Sequence, residues 1–227
     1  MKIDILTLFP DSFFGPFAES IVKRGIDNQS VDITCYNYRD YTTDLRRTVD
    51  DKPYGGGPGM LMKPEPIVKA VRSLKKEKTL VILTTPQGKL FKQEDAVRLS
   101  KYEHLLFVTG HYEGVDERVR DLVIDEEYSI GDYILTSGNL PAMVMVDAIV
   151  RLLPGVLGSM ESTFEESHSS GTLEYPQYTR PVQFEGLEVP SILRSGNHQL
   201  IAEWRREQAL LRTEKRRPDL LKKNKID

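Results

Sequence analysis

The sequence predicts an α/β domain built on a mainly parallel sheet, followed by a small helical domain. Short runs of β-branched and apolar residues alternate with segments of helical periodicity over the first two thirds of the chain. Near the C-terminus, an amphipathic helical pattern follows a polar stretch that has no periodicity. With 227 residues, of which 39% are hydrophobic, the chain is long enough to bury a substantial core.

The strand candidates are short stretches rich in β-branched and apolar side chains. They are residues 2–9, 31–37, 79–84 and 104–109, with a shorter candidate at 128–130. Because helical patterns separate most of these stretches, the strands are expected to pair in parallel.

Helices are predicted from capping residues and from apolar residues at helical spacing. Asp11 is predicted to cap a helix over residues 12–24, and Pro64 to begin a helix that reaches Leu74. Residues 93–102 carry apolar side chains at helical spacing and form a third candidate.

Residues 140–151 form an unusually apolar helix candidate with Pro141 near its start. Its apolar residues cover most faces, so we expect it to pack against the sheet, against a second subunit, or against both. Asp147 and Arg151 interrupt the apolar run, which is too short for a membrane span. The N-terminus lacks the features of a secretory signal peptide, so a cytoplasmic location is expected.

The chain is predicted to divide into three parts. Residues 1–160 form the first domain, and residues 161–174 form a linker that is polar, rich in Ser and Glu and without periodicity. Residues 175–227 form the helical domain, whose main helix covers 198–215.

The charge is distributed unevenly, although the whole chain carries only −3. Residues 194–227 contain ten Lys or Arg and five acidic residues, which leaves this tail at +5 and the remainder at −8. A basic tail beside an acidic body suits contact with a polyanion such as RNA, and it equally suits a solvated helix face. Charge alone does not decide between them.

Cysteine and histidine give no support for a metal site. Cys35 is the only cysteine, so an internal disulfide is excluded, and it is interpreted as a strand residue. The four histidines are scattered, without the spacing of metal ligands. No metal-binding residues are predicted from these patterns.

Three glycine-containing stretches follow predicted strands and suit ligand binding. They are residues 84–88 (Thr-Thr-Pro-Gln-Gly), residues 110–118, and residues 129–141, which lead into the apolar helix. Open α/β sheets bind small molecules at the carboxyl ends of their strands, so one shared pocket is the simplest account. Taken alone, residues 84–88 suit a plain turn between a strand and a helix.

Two common nucleotide-binding motifs are missing from the sequence. No GxGxxG motif follows a strand, and no phosphate-binding loop ends in Gly-Lys-Ser or Gly-Lys-Thr. These absences argue against a dinucleotide-dependent enzyme and against an NTPase. A pocket of backbone amides and apolar walls suits a nucleoside better than a nucleoside triphosphate.

Five motifs, in this order, resemble the bacterial tRNA (guanine-N1)-methyltransferases. They are Tyr-Gly-Gly-Gly-Pro-Gly-Met at 54–60, the stretch 110–118, Ser-Ile-Gly-Asp-Tyr at 129–133, Leu-Pro-Ala-Met at 140–143 and Tyr-Thr-Arg-Pro at 178–181. The resemblance spans nearly the whole chain. It implies methylation of N1 of the guanine at position 37 of tRNA, beside the anticodon.

The resemblance also implies a fold and a cofactor. Family members belong to the SPOUT class, whose α/β domain contains a deep trefoil knot, works as a homodimer and binds S-adenosylmethionine in three loops. Matched by motif, the cofactor-binding residues are Leu83, Thr85, Pro86, Gly88, Gly110, Tyr112, Glu113, Ile130, Gly131, Asp132, Tyr133, Ile134, Leu135, Gly138 and Pro141.

The implied catalytic residues lie outside these loops. The family places its catalytic carboxylate in the linker, which corresponds to Glu166, while Arg151 matches an arginine that stabilises charge on guanine O6. A carboxylate of ordinary pKa is a weak base for the N1 proton, so the two residues are expected to act together. Most family members have Asp in place of Glu166, and the neighbouring Glu165 is an alternative base.

The remaining expectations concern the substrate and a metal. In the family the linker of one subunit covers the cofactor of the other, which makes each active site composite. The resemblance implies magnesium as well, without indicating a set of ligands, and Glu113 is only a candidate ligand. The residues expected to contact tRNA are Asp50, Gly57, Gly59, Glu174, Arg205 and Arg206.

The family pattern is not matched everywhere. Glu174 replaces a common Asp, and Ser137-Gly138-Asn139 replaces a common Gly-Gly-Glu, which puts a family contact of Asn139 in doubt. Two alternatives remain at this point: a SPOUT methyltransferase acting on another RNA position, and an RNA-binding protein that has lost catalysis.

Overall fold

The structure is a computed structural model that describes residues 1–158, 166–169 and 171–223. The chain divides into two compact units, Met1–Gly158 and Ser159–Asp227. Within the described residues, no helix is both long and apolar enough to cross a membrane.

The first unit is built on a five-stranded parallel sheet, as the sequence predicts. Its strands are β1 (Lys2–Thr7), β2 (Asp32–Asn37), β5 (Thr79–Leu90), β6 (His104–Thr109) and β7 (Glu126–Ser129). Their order across the sheet is β2-β1-β6-β5-β7, and each neighbouring pair is parallel. All five carboxyl ends therefore meet at one edge.

Helices cover both faces of this sheet. They are α1 (Phe14–Phe17), α2 (Ser20–Asp27), α3 (Pro64–Leu74), α4 (Gln93–Leu99), α5 (Glu117–Val123) and α6 (Asn139–Val150). Alternate strand residues enter two separate cores, since side chains on a strand point to opposite faces. Phe107 packs in the core that contains α2, α4 and α6, whereas Leu106 packs in the core that contains α3 and α5.

The predicted helix over residues 12–24 is wrong. The chain instead forms a 3-10 turn at Pro10–Phe13, the short helix α1 and then α2. The break before α2 lies at Ser20, whose φ of 58° is incompatible with a continuous right-handed helix. Asp11 lies inside the 3-10 turn, and no side chain caps that turn.

Residues 84–88 do not form a simple turn after a strand. Strand β5 continues through them to Leu90, with a register shift against β7 between Thr84 and Lys89. A Cβ added at Gly88 would lie 2.5 Å from the backbone nitrogen of Tyr128, so only glycine allows β5 to run this close to β7. Strand β7 also begins two residues before the predicted position.

Smaller elements complete the described structure. Strands β3 (Asp50–Asp51) and β4 (Leu61–Met62) pair in antiparallel fashion and enclose the glycine-rich stretch 54–60. The second unit contains a hairpin of β8 (Gln183–Phe184) and β9 (Leu187–Glu188), and two helices, α7 (His198–Arg216) and α8 (Pro218–Lys223).

Candidate functional site

A cavity of about 510 Å³ lies at the carboxyl edge of the sheet, beside residues 83–87 of β5 and the ends of β6 and β7. Its walls come from residues 83–87, 110–115, 128–131 and 133–138, and Pro141 at the start of α6 lies on one side. The sequence predicted that these three stretches share one pocket, and the structure brings them together. The volume is within the range of sites that hold a molecule of drug size.

Backbone contacts around Gly138 join the three walls. The amide of Gly138 donates to the carbonyl of Gly110 at 2.8 Å, and the Thr84 hydroxyl donates to the carbonyl of Gly138 at 3.0 Å. A Cβ at Gly138 would lie 2.3 Å from Thr84 Oγ1 and 3.0 Å from the Gly110 nitrogen. Glycine is therefore required here because the three chain segments cross in contact.

Most residues predicted to bind the cofactor line this cavity. Gly88 and Asp132 do not: Gly88 supports the close approach of β5 to β7, and Asp132 is exposed. The predicted residues that do line the cavity are Leu83, Thr85, Pro86, Gly110, Tyr112, Glu113, Ile130, Gly131, Tyr133, Ile134, Leu135, Gly138 and Pro141.

Several lining residues were not identified from the sequence. Arg120 lines the cavity and donates to Glu127 at 2.9 Å, and Glu117 lies 3.3 Å from the Arg120 guanidinium. His111 also lines it, with its ring 5.2 Å from the ring of Phe9, which follows β1. Helical spacing places Glu117 and Arg120 on one face of α5, but no local pattern indicates that this face meets the cavity.

Asn139 has a role that its sequence context did not reveal. It is buried, its Oδ1 accepts from the Thr7 hydroxyl at 3.0 Å, and its Nδ2 donates to Ser12 Oγ at 2.9 Å. The first residue of α6 is thereby joined to the end of β1 and to the 3-10 turn beyond it. Both functional groups of the amide are satisfied, which fixes its orientation.

Two buried tyrosines stabilise the strand ends beneath the cavity. The hydroxyl of Tyr38 accepts from the Thr109 amide at 3.1 Å and lies 3.2 Å from the Thr109 carbonyl, to which it donates. Burial raises the pKa of Tyr38 and that of Tyr128, which lines the cavity. Both side chains therefore remain neutral at physiological pH.

The glycine-rich stretch 54–60 contacts the wall of the cavity. A Cβ at Gly59 would lie 2.3 Å from the Glu113 carboxylate, and the Glu113 amide donates to the carbonyl of Met60 at 3.0 Å. Beside them, Met62 of β4 forms a parallel bridge with Val115. Of the residues predicted to contact the substrate, Gly57 and Gly59 have positive φ, and Asp50 lies half-buried in β3.

The two predicted catalytic residues lie in different units. Arg151 follows α6 directly in the first unit and is half-buried, with its amide donating to Asp147 at 3.2 Å. Glu166 belongs to the second unit, is also half-buried, and its carbonyl accepts from the Ser169 amide at 3.1 Å. Glu165, the alternative base, lies outside the described residues.

The second unit contains three of the residues predicted to contact tRNA, namely Glu174 and, on α7, Arg205 and Arg206. Arg206 is exposed, whereas Arg205 is half-buried with its guanidinium 4.7 Å from the centre of the Tyr175 ring. Glu174 accepts a side-chain hydrogen bond from Gln177. No group of three or more potential His, Cys, Asp or Glu metal ligands occurs among the residues described.

Comparison with known proteins identifies relatives along the entire chain. The family model described as "tRNA (Guanine-1)-methyltransferase TrmD" matches residues 1–223. A tRNA (guanine-N(1)-)-methyltransferase from Dictyoglomus turgidum is 59% identical over 226 residues, covering 100% of this chain and 92% of the relative. A protein of the same name from Geobacter sulfurreducens is 55% identical, covering 100% of this chain and 93% of the relative.

Proposed function

The chain belongs to the tRNA (guanine-N1)-methyltransferase family and transfers a methyl group from S-adenosylmethionine to N1 of a guanine in tRNA; from this premise we propose that the guanine is the one at position 37. The proposed cofactor site is the cavity whose three walls come into contact at Gly138, and this cavity is the main observation in favour of the proposal. We propose the trefoil knot for this same region, because the matched motifs are those of the SPOUT class.

The cavity has the chemical character that S-adenosylmethionine requires. Apolar side chains of Ile130, Leu135 and Pro141 offer a surface for the adenine ring, and backbone groups of the glycine stretches offer hydrogen bonds. The carboxylate of Glu113 provides negative charge beside the cavity for a cationic group. When bound, S-adenosylmethionine supplies a methyl group on a sulfonium, whose leaving group is neutral.

The proposed chemistry is assigned to Arg151 and Glu166. Transfer forms the bond between N1 and the methyl group, breaks the bond between sulfur and the methyl group, and releases the N1 proton to the Glu166 carboxylate. The Arg151 guanidinium stabilises the negative charge that develops on guanine O6 as the proton leaves. Without that charge stabilisation, a carboxylate is too weak a base for N1.

We further propose a homodimer with composite active sites. Helix α6 exposes about half of Leu140 and Val144, and Ile134 in the preceding loop is 80% exposed. Apolar side chains exposed on an otherwise buried helix suit a subunit interface. In this arrangement Glu166 of one protomer serves the cofactor of its partner.

The domain assignment follows from this proposal. Residues 1–160 bind the cofactor, 161–174 form the linker that carries the base, and 175–227 bind tRNA. Arg205, Arg206 and the other basic residues of the tail contact the anticodon arm, so binding weakens steeply as salt increases. No step of this mechanism is assigned to magnesium, and the described residues contain no group of three or more His, Cys, Asp or Glu that could hold a metal ion.

Two experiments test these proposals. Methyl transfer is measured on otherwise identical tRNA transcripts with guanine or adenine at position 37; equal methylation of both contradicts position 37 and favours another RNA site. Single-turnover rates are then measured for Glu166→Gln and Glu165→Gln. We expect a large loss only for Glu166→Gln, and the opposite result assigns the base to Glu165.

A further inference from the structure

Helix α7 contacts the segment that carries Glu166 through one buried hydroxyl. Along α7, every residue of which is described, Thr213 is the one buried residue, with 0% exposure. Its Oγ1 accepts from the Leu173 amide at 2.9 Å and donates to the Ala209 carbonyl at 2.6 Å. The hydroxyl thus uses its single proton within the helix and keeps a lone pair for the neighbouring segment.

A second contact from α7 reaches the next peptide unit. Arg212 Nη1 donates to the carbonyl of Glu174 at 3.3 Å. The amide of Glu174 in turn donates to Ser167 Oγ at 3.0 Å. A continuous series of hydrogen bonds and covalent bonds therefore runs from α7 through residues 173–174 to Ser167, the neighbour of Glu166.

The segment itself is folded back on its own backbone. The His168 amide donates to the Thr172 carbonyl at 2.8 Å, and the Ser169 amide donates to the Glu166 carbonyl. Residues 166–169 are therefore held against 172–174, and 173–174 are held by α7. Moving Leu173 away from Thr213 displaces the backbone that holds Glu166.

From these contacts we infer that Thr213 is a positioning residue, which fixes Glu166 relative to helix α7 and so relative to the tRNA that α7 holds. This inference rests on the proposed role of Glu166. Thr213 contacts neither substrate nor cofactor in this assignment, and it acts through residues 173–174 and the residues 166–169 that they hold.

Substitution by valine isolates the hydrogen bond, because valine has the shape of threonine without its acceptor. Thr213→Val leaves the Leu173 amide without its acceptor, which costs about 1–3 kcal/mol when the group is buried. The Leu173 amide can bond to water instead when the segment moves away from α7 toward solvent. Thr213→Ser keeps the hydroxyl, and Thr34→Val in β2 serves as a matched control in the other unit.

The test uses the full-length protein with saturating tRNA and S-adenosylmethionine. We expect the single-turnover rate of Thr213→Val to fall about ten- to a hundredfold, because small displacements of a catalytic group have effects of this size. The dissociation constant for S-adenosylmethionine should stay at the wild-type value, and Thr213→Ser should restore most of the rate. A rate at the wild-type level in Thr213→Val, or cofactor affinity that falls in parallel with it, overturns the inference.

A double-mutant cycle separates this inference from the proposed function. If Thr213 acts through Glu166, the variant Thr213→Val/Glu166→Gln is no slower than Glu166→Gln alone. Multiplicative losses overturn the positioning role while leaving Glu166 as the base. A wild-type rate in Glu166→Gln instead overturns the proposed base, and with it the inference.

Arg212→Gln provides a second variant should Thr213→Val fail to fold. It removes the donation to the Glu174 carbonyl from a partly exposed position. The same cycle with Glu166→Gln is expected to show losses that do not multiply. Because Arg212 is also one of the basic residues proposed to contact tRNA, this cycle is measured on the complex saturated with tRNA. Losses that multiply under that condition contradict the inference.

Discussion

The two edges of the central sheet are built from the same strands but differ in what their polar side chains contact. At the amino edge, Lys2, Thr79 and His104 begin β1, β5 and β6 and lie in register with one another. At the carboxyl edge, the same three strands end beside the cavity or its supporting turn.

Polar side chains at the amino edge bind one another. His104 Nε2 lies 3.0 Å from the fully buried Asp4 carboxylate, which also pairs with Lys2 at 3.1 Å. The Thr79 hydroxyl accepts from the Lys76 amide and lies 2.7 Å from His104 Nδ1. Neutral His104 with its proton on Nε2 satisfies both ring nitrogens, which leaves no group of the histidine for a ligand. Within the described residues, the buried Asp4 Oδ1 has no hydrogen-bond partner.

The carboxyl edge is held together by the backbone bond between Gly138 and Gly110 and by side-chain bonds of Thr84 and Asn139, while Tyr112 and Glu113 line the cavity. Burial of polar groups alone therefore does not indicate function in a parallel sheet. At both edges, polar side chains that bond to other protein groups stabilise the fold, and at the carboxyl edge further side chains line the cavity and are available to a ligand.

The largest effect expected from this contrast is loss of cofactor binding on Gly138→Ala. The added methyl group collides with Thr84 Oγ1 and with the backbone of Gly110, so the three walls must separate. Overpacking of this kind costs up to about 3 kcal/mol, and S-adenosylmethionine affinity measured by calorimetry should fall about a hundredfold. Gly15→Ala is the control, since nothing lies within 4 Å of a Cβ there; equal affinities in the two variants would contradict the comparison.

A smaller effect, on stability alone, is expected for Asp4→Asn. The variant replaces one buried acceptor of His104 and Lys2 with an amide, and we expect the free energy of unfolding in urea to fall by about 2 kcal/mol. Cofactor affinity should not change. Asp27→Asn, in an exposed pair with Lys23, should have little effect. Loss of cofactor affinity in Asp4→Asn would show that the two edges are not independent.

The smallest expected effect is a pH dependence of stability that originates at the amino edge. Burial holds the pKa of His104 below its ordinary value of 6.5, against the opposing influence of Asp4 and with a smaller contribution from Lys2 and Lys76. The folded state therefore favours neutral His104, so its stabilisation is complete above pH 6.5 and is lost as the pH falls through the lower folded pKa.

This dependence is measured by urea unfolding at a series of pH values between 7 and about 5. His104→Gln should show a shallower decline than the wild-type protein, while His198→Gln on α7 should follow the wild-type decline. Identical declines in His104→Gln and the wild-type protein would assign the acid sensitivity to another part of the chain.

Some patterns that depend on neighbouring residues were predicted correctly, whereas individual contacts between distant segments were not. Helix α3 begins at Pro64 and ends at Leu74 as predicted, because the proline and the periodicity are local signals. The break at Ser20 was missed, since nothing in its immediate sequence requires a positive φ.

Predictions for the candidate site show the same difference. The position of three glycine-containing stretches after predicted strands indicated one shared pocket, and the structure brings these stretches around one cavity. The bonds from Asn139 to Thr7 and Ser12 span 132 and 127 positions, so no local pattern predicts them. Glu166 was identified through family resemblance, and its role stays a prediction.

The contact between Gly59 and Glu113 has a thermodynamic consequence. The Glu113 amide is bonded to Met60 and Met62 is bridged to Val115, so the stretch 54–62 and the cavity wall 110–115 cannot shift separately without breaking these bonds. A ligand that shifts one stretch on binding must therefore displace the other stretch or break these bonds. By thermodynamic linkage, the factor by which bound cofactor changes the affinity for guanine equals the factor by which bound guanine changes the affinity for the cofactor.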